Sequence, residues 1–225
     1  MFSFFISLIW ILFFSYNSEK VENWEINNLN EIGGHAVTVF GNPEVVETEI
    51  GKAVKFDGDG DLLLVDFNPI GSAKEFTVEV VFKPDASFPN NTAPRFIHIQ
   101  DPDDPDEKRL MIELRLTEQN KFYFDGFLKS DTSSLALIDK TLLHPTEKWI
   151  HAAVTYKDYN LTTYINGEKQ LTGQIAYDKH FINPTGKVAI GGRMNKVSWF
   201  SGMIKTLKVT QSALKPEHFM IVKSE

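Results

Sequence analysis

The stretch between Trp149 and Glu168 constrains the fold of this chain more than any other part of the sequence. It reads WIHAAVTY, then the polar KDYN, then LTTYI, and it continues into Asn166-Gly167. The first and third of these runs are rich in aromatic and β-branched residues, which favour strands. Asn-Gly supplies the positive φ that both central positions of a type I′ turn require. The sequence therefore predicts two β-hairpins in series, with Trp149, Val154 and Tyr164 on the paired strands of the first.

Short strand-like runs separated by turn residues fill the rest of the chain. The run 76–83 alternates cleanly, so its even-numbered residues should face the core and its odd-numbered residues should face outward. Further strands are predicted within 35–40, 51–56, 62–67, 96–100, 110–116, 121–125, 186–192 and 200–209. Roughly a dozen short strands without a helical period predict an all-β, antiparallel two-sheet jelly-roll sandwich. Because no linker interrupts the pattern, we expect one domain over residues 20–225.

Length and charge exclude several classes of protein. A chain of 225 residues can bury about 70% of its unfolded surface, so its core needs neither a metal nor a disulfide. The net charge is −7 and no block of basic residues is present. These features argue against nucleic acids and anionic membrane surfaces as partners.

The first residues of the chain are strongly apolar and contain Trp10 and several phenylalanines. The run is too short for a stable membrane span. Residues 1–18 are therefore predicted to be a secretory signal peptide, which implies a secreted, extracellular protein. An uncleaved membrane anchor is the alternative.

Four segments in this order resemble the laminin-G-like, concanavalin A-like jelly rolls of the lectin/glucanase superfamily. They are 51–58 (GKAVKFDG), 76–85 (FTVEVVFKPD), the hairpin at 149–167, and 202–214 (GMIKTLKVTQSAL). The resemblance implies a secreted recognition domain whose partner is a glycan or an extracellular protein. The superfamily also holds glucanases and polysaccharide lyases, so the fold alone does not fix the activity.

The same resemblance implies a structural calcium ion in some members. Asp57, Asp59 and Asp61 match the family's acidic loop, and calcium is the cofactor we expect if this loop is a metal site. Lys205 and Thr206 stand where the family often has an acidic ligand. A solvated acidic turn without metal is the alternative.

A glucanase on this fold would need two carboxylates on one strand, and no such cluster occurs. A lyase acting on the concave sheet face would need a base and a group that neutralises a uronate carboxylate. His98, Glu113, Arg115 and Tyr123 are the candidates for these roles. Because these four residues are spread over three predicted strands, we expect that they do not form one hydrogen-bonded cluster. A non-catalytic carbohydrate-binding domain is the preferred interpretation. The alternatives are a polysaccharide lyase or glycoside hydrolase that acts on the concave sheet face, and a structural extracellular domain that binds protein.

The residues predicted to contact a ligand combine sheet-face polar groups with one loop aromatic. They are His98, Gln100, Arg115, Asp125 and Trp199. Polar side chains on a sheet face can hydrogen-bond a sugar, and a loop tryptophan can stack on its ring.

Two Asn-x-Thr triplets begin at Asn90 and Asn160 and are predicted glycosylation sites if the host is a eukaryote. Both lie in predicted turns, where a glycan would fit. His151 stands alone in the run that is most clearly a buried strand. We therefore expect it to be a core or sheet-face residue and not a metal ligand.

Overall fold

The computed structural model describes residues 20–104, 107–176 and 185–222. Within these residues the chain forms seventeen strands and one short 3-10 helix, Pro216–His218. The strands are β1 (Val21–Glu25), β2 (Glu31–Ile32), β3 (His35–Phe40), β4 (Glu44–Val46), β5 (Ala53–Asp57), β6 (Leu62–Val65), β7 (Phe76–Pro84), β8 (Arg95–Gln100), β9 (Arg109–Leu116), β10 (Lys121–Lys129), β11 (Ser134–Ile138), β12 (His144–Pro145), β13 (Ile150–Lys157), β14 (Asn160–Ile165), β15 (Glu168–Gln174), β16 (Lys187–Ile190) and β17 (Ser201–Thr210).

The strands form two antiparallel sheets, as the sequence predicts. The eight-stranded sheet has the order β15-β14-β13-β7-β17-β5-β4, with β1 also paired to β17. The nine-stranded sheet has the order β11-β10-β9-β8-β16-β6-β3-β2, with β12 also paired to β10. Several neighbours, such as β7 with β17 and β8 with β16, are distant in sequence, which is the crossing pattern of a jelly roll.

The core lies between the inner faces of the two sheets. The even-numbered residues of β7 enter it as predicted, and Phe82 packs against Phe96 on the opposite sheet with ring centroids 4.5 Å apart. Trp24 of β1, which had no predicted strand, is also fully buried in this core. Burial of such large apolar side chains is the main favourable contribution to folding.

The two predicted hairpins are present. Asp158 and Tyr159 join β13 to β14, and Asn166 and Gly167 join β14 to β15, and all four have positive φ. Positive φ at both central residues gives the backbone twist that two-residue hairpin turns need. The prediction for Trp149 is wrong by one residue, because β13 begins at Ile150. The Trp149 side chain packs in a small apolar cluster apart from the main core.

The outward residues of β7 face away from the core, yet Thr77, Glu79 and Val81 are buried and Lys83 is half-buried. Glu79 is fully buried because the C-terminal segment 211–222 crosses this side of the sheet. Its Oε1 atom accepts hydrogen bonds from His151 Nε2 at 3.1 Å and from the Met220 N–H at 2.5 Å. Lys208 Nζ lies 3.1 Å from Glu79 Oε2. The alternation thus predicts the direction of each side chain but not the segment that covers it.

Across residues 20–104, 107–176 and 185–222, no helix has the length and apolar character that crossing a membrane requires. The predicted signal peptide, residues 1–18, lies outside the described residues.

Candidate functional site

The outer face of the nine-stranded sheet carries most of the residues that the sequence singles out. We call this surface the polar face, and it is formed by Arg95, His98 and Gln100 of β8, Arg109, Glu113 and Arg115 of β9, and Tyr123, Asp125 and Phe127 of β10. Strand alternation explains the arrangement, because the intervening residues are apolar and enter the core. Polar groups that share one sheet face in this way can act together on a single ligand.

Arg95 reaches the polar face through an irregularity of β8. The register between β8 and β9 shifts between Arg95 and Ile97, as it does at a β-bulge. The extra residue puts Arg95 on the same face as His98, although strict alternation would place the two on opposite faces. Sequence analysis missed Arg95 because the bulge leaves no signal in the alternation pattern.

Two buried carboxyl groups and two arginines form a network at the centre of this face. Arg115 Nη2 donates to Asp125 Oδ2 at 2.6 Å and to Glu113 Oε2 at 3.1 Å. Arg95 Nε lies 3.0 Å from the same Glu113 oxygen. Glu113 and Asp125 are directly opposite each other on neighbouring strands, and each is 1% exposed. Arg115 is therefore held in one position by the two carboxyl groups.

Burial changes the protonation of both carboxyl groups. The pKa of Glu113 is raised, first because the side chain is removed from water and second because Asp125 is close. Burial also raises the pKa of Asp125, against the opposing effect of its hydrogen bonds from Arg115. Two like charges at short range favour retention of a proton on one of them.

His98 is fixed as a neutral hydrogen-bond donor. The Met194 backbone N–H donates to His98 Nδ1 at 2.9 Å, so the ring carries its proton on Nε2. The pKa of His98 is lowered to about 3, first by burial and then by charge repulsion from Arg193 and Arg109. The side chain is 1% exposed, and its Nε2 makes no hydrogen bond of good geometry among the described residues. The Gln100 side chain lies close enough to oppose the lowering of the His98 pKa.

Aromatic rings flank Asp125 along β10. Tyr123 and Phe127 are half-buried on the same side of the strand, two residues to either side of Asp125. The Arg109 guanidinium lies over the Phe127 ring at 5.1 Å, and Tyr123 pairs with Arg115 in the register. Half-buried rings beside hydrogen-bonding groups are typical of surfaces that bind sugars.

The structure brings together only some of the predicted lyase residues. Glu113 and Arg115 belong to one hydrogen-bonded network, but the described contacts do not join all four candidates into one cluster. Glu113 and Arg115 share the network because they are two residues apart on one strand and both contact Asp125 across it. His98 makes its hydrogen bond to Met194 and not to this network. No hydrogen bond links Tyr123 to the other three in the described part of the chain.

Trp199 and Gln100 lie at the margins of the polar face. The Trp199 ring packs against the backbone of Gly192, where an added Cβ would lie only 2.8 Å from it. Trp199 is half-buried, and its carbonyl oxygen accepts a hydrogen bond from the Asn91 side chain. Gln100 is opposite Arg109 on β9 and Lys187 on β16.

The acidic loop after β5 is closed by its own hydrogen bonds. Asp61 is buried, and its two carboxylate oxygens accept the N–H groups of Asn42 at 2.6 Å and Asp57 at 3.0 Å. The Asp59 N–H donates to Asp57 Oδ1 at 2.7 Å. Burial raises the pKa of Asp61. Among the described residues, no group of three or more His, Cys, Asp or Glu side chains is placed to hold a metal ion.

The two predicted glycosylation sites differ in accessibility. Asn90 is exposed in the loop between β7 and β8. The Asn160 side chain donates to the Asp158 carbonyl at 2.8 Å, and Thr162 of the same triplet is buried. Asn90 is thus the more accessible of the two.

A groove of about 1170 Å³ lies on the outer face of the eight-stranded sheet. Val21, Val81 and Trp149 supply apolar lining, and the C-terminal residues 220–222 form one side. Charged side chains also line it, including Lys205, which pairs with Glu25 at 2.9 Å. This groove is the main alternative to the polar face as a binding surface.

Comparison with solved structures finds several proteins of the same fold. Domain 4 of AbnA, a GH43 extracellular arabinanase from Geobacillus stearothermophilus in complex with arabinotriose, is 19% identical with a TM-score of 0.65, and the match covers 88% of this chain and 96% of that one. The receptor-binding domain of a botulinum neurotoxin C/D mosaic serotype is 17% identical with a TM-score of 0.63, covering 88% of this chain and 49% of the toxin chain. The receptor-binding domain of botulinum neurotoxin D is 18% identical with a TM-score of 0.62, covering 88% and 50%.

No curated protein matches the chain by sequence. At the identities above, the solved structures establish the fold alone. The model of one family, described as the concanavalin A-like lectin/glucanases superfamily, matches residues 56–218, which is most of the chain. Together with the two antiparallel sheets, this match shows that the chain belongs to the concanavalin A-like lectin/glucanases superfamily, as a laminin G-like jelly roll.

Proposed function

We propose that this protein is a secreted, non-catalytic recognition domain that binds carbohydrate on the polar face. One observation carries the proposal. Tyr123 and Phe127 flank Asp125, whose carboxyl group is held by Arg115, so aromatic rings and oriented polar groups lie side by side on one sheet face. A sugar offers C–H groups for the rings and hydroxyl groups for the carboxyl and guanidinium groups.

The burial of the charges supports a binding role. Placing Glu113 and Asp125 out of water is unfavourable unless their hydrogen bonds compensate. These two groups are not needed to fill the core, because they point away from it. Fixed polar groups lose little conformational entropy when a ligand binds, which favours recognition.

The chemistry of the same residues argues for binding without turnover. A lyase needs a base with a free lone pair. His98 Nδ1 already accepts the Met194 N–H and His98 Nε2 carries the proton, so neither ring nitrogen can remove a proton. Arg115, the candidate to neutralise a uronate carboxylate, is paired with two carboxyl groups of the protein itself.

A glycan-binding screen tests the proposal. Arabinan oligosaccharides belong in the panel, because domain 4 of AbnA was solved with arabinotriose. We expect Tyr123→Ala to weaken binding about tenfold, which is the change that about 1.4 kcal/mol produces. Tyr159→Ala is the matched control, because Tyr159 is 63% exposed in the β13–β14 turn of the other sheet.

Two outcomes would overturn this function. One is the absence of binding to every glycan in the screen. The other is release of unsaturated or reducing ends from polyuronates, glucans or galactans. This release would have to be abolished by substitution of His98 or Arg115 in a variant that still folds. We expect no release from any of these polymers.

The extracellular location is tested separately. The apolar segment within residues 1–18 supports export. The full chain should be exported on expression, and N-terminal sequencing should find a new terminus near residues 15–18. A protein that stays inside the cell with Met1 intact would contradict export.

A further inference from the structure

We propose that His98, Arg109 and Arg193 form a subsite for the anionic group, a carboxylate or a sulfate ester, of an acidic glycan. This inference rests on the proposed function and narrows it to a class of sugar. We call these three residues the cationic cluster.

The fold places the three side chains together. Arg109 and His98 are diagonal neighbours on paired strands, because His98 is opposite Met111 and Gln100 is opposite Arg109. Such diagonal pairs are about 7–8 Å apart between backbones, within reach of a long side chain. Arg193 belongs to the turn 191–199, which contacts His98 through the Met194 N–H.

The turn that carries Arg193 is held in place by several backbone hydrogen bonds. The Gly191 N–H donates to the Phe96 carbonyl at 2.9 Å, and the Gly191 carbonyl accepts the Phe200 N–H at 2.8 Å. Gly191 has a φ of +92°, and an added Cβ would lie 2.2 Å from the Phe56 ring. Only glycine fits there, so the position of Arg193 relative to the sheet is built into the fold.

The cluster offers donors and lacks acceptors. Within the described residues, the Nε atoms of Arg109 and Arg193 and the Nε2 of His98 are buried without a hydrogen bond of good geometry. All three are N–H groups, given the tautomer of His98. The Gln100 side chain lies beside His98 and is a neutral neighbour of the cluster. Carboxylates and sulfates only accept hydrogen bonds, and charge-assisted bonds to them are stronger than neutral ones. The chemistry of the cluster therefore matches an anion.

The other two arginines of the polar face are already paired with carboxyl groups of the protein. Arg115 is paired with Glu113 and Asp125. Arg95 forms an ion pair with Glu113, and its Nη1 donates to Ser198 and to the Ala93 carbonyl, although its buried Nε makes no hydrogen bond. Among the described residues, the polar partner of the Arg109 guanidinium is Glu107, at 2.8 Å to its carbonyl and 3.5 Å to its exposed carboxylate. The guanidinium also lies over the Phe127 ring. No ion pair is formed by Arg193 anywhere in the described part of the chain.

Charge repulsion within the cluster supports the same conclusion. The pKa of Arg109 is lowered, mainly by burial and then by Arg193. The pKa of His98 falls to about 3 through burial first, with Arg193 and Arg109 next. An anion placed among these groups would offset the repulsion. Its binding should therefore raise the pKa of His98.

The test compares acidic and neutral polysaccharides of similar length on the full chain. Polygalacturonate supplies carboxylates, heparin and dextran sulfate supply sulfate esters, and dextran and arabinan are neutral. Arg193→Gln and Arg109→Gln should each weaken binding of the acidic polymer about tenfold or more, as expected for loss of one charge-assisted hydrogen bond. Lys196→Gln is the matched control, because this exposed cation lies in the same turn over Phe40, outside the cluster.

Each outcome decides a separate point. If binding of polygalacturonate or of the sulfated polymers depends on Arg193 and Arg109, the result supports the subsite. The polymer whose binding depends on them shows whether the subsite prefers a carboxylate or a sulfate. Equal binding of neutral and acidic polymers, unchanged by both substitutions, overturns the subsite but leaves carbohydrate binding in place. No binding of any polymer overturns both. Loss of binding in Lys196→Gln equal to that in Arg193→Gln would also contradict the subsite, because it would indicate a diffuse charge effect. An upward shift of the His98 pKa on binding, followed by NMR, is the second readout.

Discussion

The backbone N–H of Met194 lies 2.9 Å from His98 Nδ1 and donates a hydrogen bond to it. This contact joins the turn after β16 to the polar face of the nine-stranded sheet. It also settles which ring nitrogen carries the proton, because an atom that accepts an N–H cannot itself be protonated. His98 therefore presents an N–H donor and has no free lone pair, which suits recognition better than proton abstraction.

His98 should make the stability of the protein depend on pH. Its pKa is lowered from 6.5 to about 3 in the native state, chiefly by burial. Below about pH 6.5 the unfolded chain binds a proton there and the native state does not, so acidification favours unfolding. We expect His98→Gln to flatten the slope of unfolding free energy against pH between about 6.5 and 3.

His218 is exposed, and its replacement by Gln is the matched control. Denaturant titrations at several pH values measure the slope. A His98 ring that titrates near 6.5 in the folded protein, observed by NMR, would disprove the buried neutral state.

Arg115 should contribute strongly to stability because it pairs with two buried carboxyl groups. Removing one partner of a buried ion pair costs about 3–5 kcal/mol, since a charge is left without compensation. We expect Arg115→Ala to lower the free energy of unfolding by an amount in this range. Lys52→Ala, which breaks the exposed pair with Glu47, should cost about 0–1 kcal/mol. Chemical denaturation of both variants measures the difference, and equal losses would contradict a fixed network on the polar face.

Glu79 should stabilise the protein only when it is ionised. Burial alone would raise its pKa, but the hydrogen bonds from His151, the Met220 N–H and Lys208 hold it below the ordinary value. A lowered pKa contributes stability that is present above the unfolded pKa and is lost as pH falls through the native one. Glu79→Gln should therefore destabilise the protein at pH 7, and the deficit should shrink below about pH 4.3.

Glu75→Gln is the control for this experiment, because Glu75 lies in an exposed ion pair with Lys157. Thermal melts from neutral to acid pH follow both variants. If Glu79→Gln lowers the stability by the same amount at every pH, the charge of Glu79 does not hold the C-terminal segment in place.

The loop at Asp61 should depend on its hydrogen bonds. Asp61→Ala removes the acceptors of two backbone N–H groups and should cost about 2–6 kcal/mol, since each unpaired donor costs about 1–3 kcal/mol. We expect wild-type protein to melt at the same temperature in calcium and in chelator, because Asp61 already uses both oxygens for backbone donors. Stabilisation by about 2.7 kcal/mol at a hundredfold excess of calcium over its Kd would assign a metal site to the loop instead.

The sequence predicts much of the fold because the alternation and turn residues are local signals. The turn at Asn166-Gly167 and the core-facing side of β7 are confirmed in the structure. Strand β1 carries a weaker signal, since polar residues surround Trp24. Its place in the sheet depends on pairing with β17, far away in the sequence.

The site is harder to predict because it depends on contacts between distant segments. The residues His98, Arg115 and Asp125 could be chosen from their polarity on predicted strands. The pairing of Glu113 with Asp125 depends on the register of β9 and β10, and the position of Arg95 depends on a bulge. Arg193 gave no signal at all, because its approach to His98 follows from the path of a turn between two strands.

The central claim is that ligand binds on the polar face, and an NMR titration with a bound glycan tests it most directly. The amides of Arg95 and Met194 donate to Ser198 and His98, so their signals should shift as glycan is added. Signals from the groove on the other sheet, at Trp149 and Met220, should stay in place. Shifts confined to Trp149 and Met220, with Arg95 and Met194 unchanged, would place the ligand in the groove and contradict the proposed site.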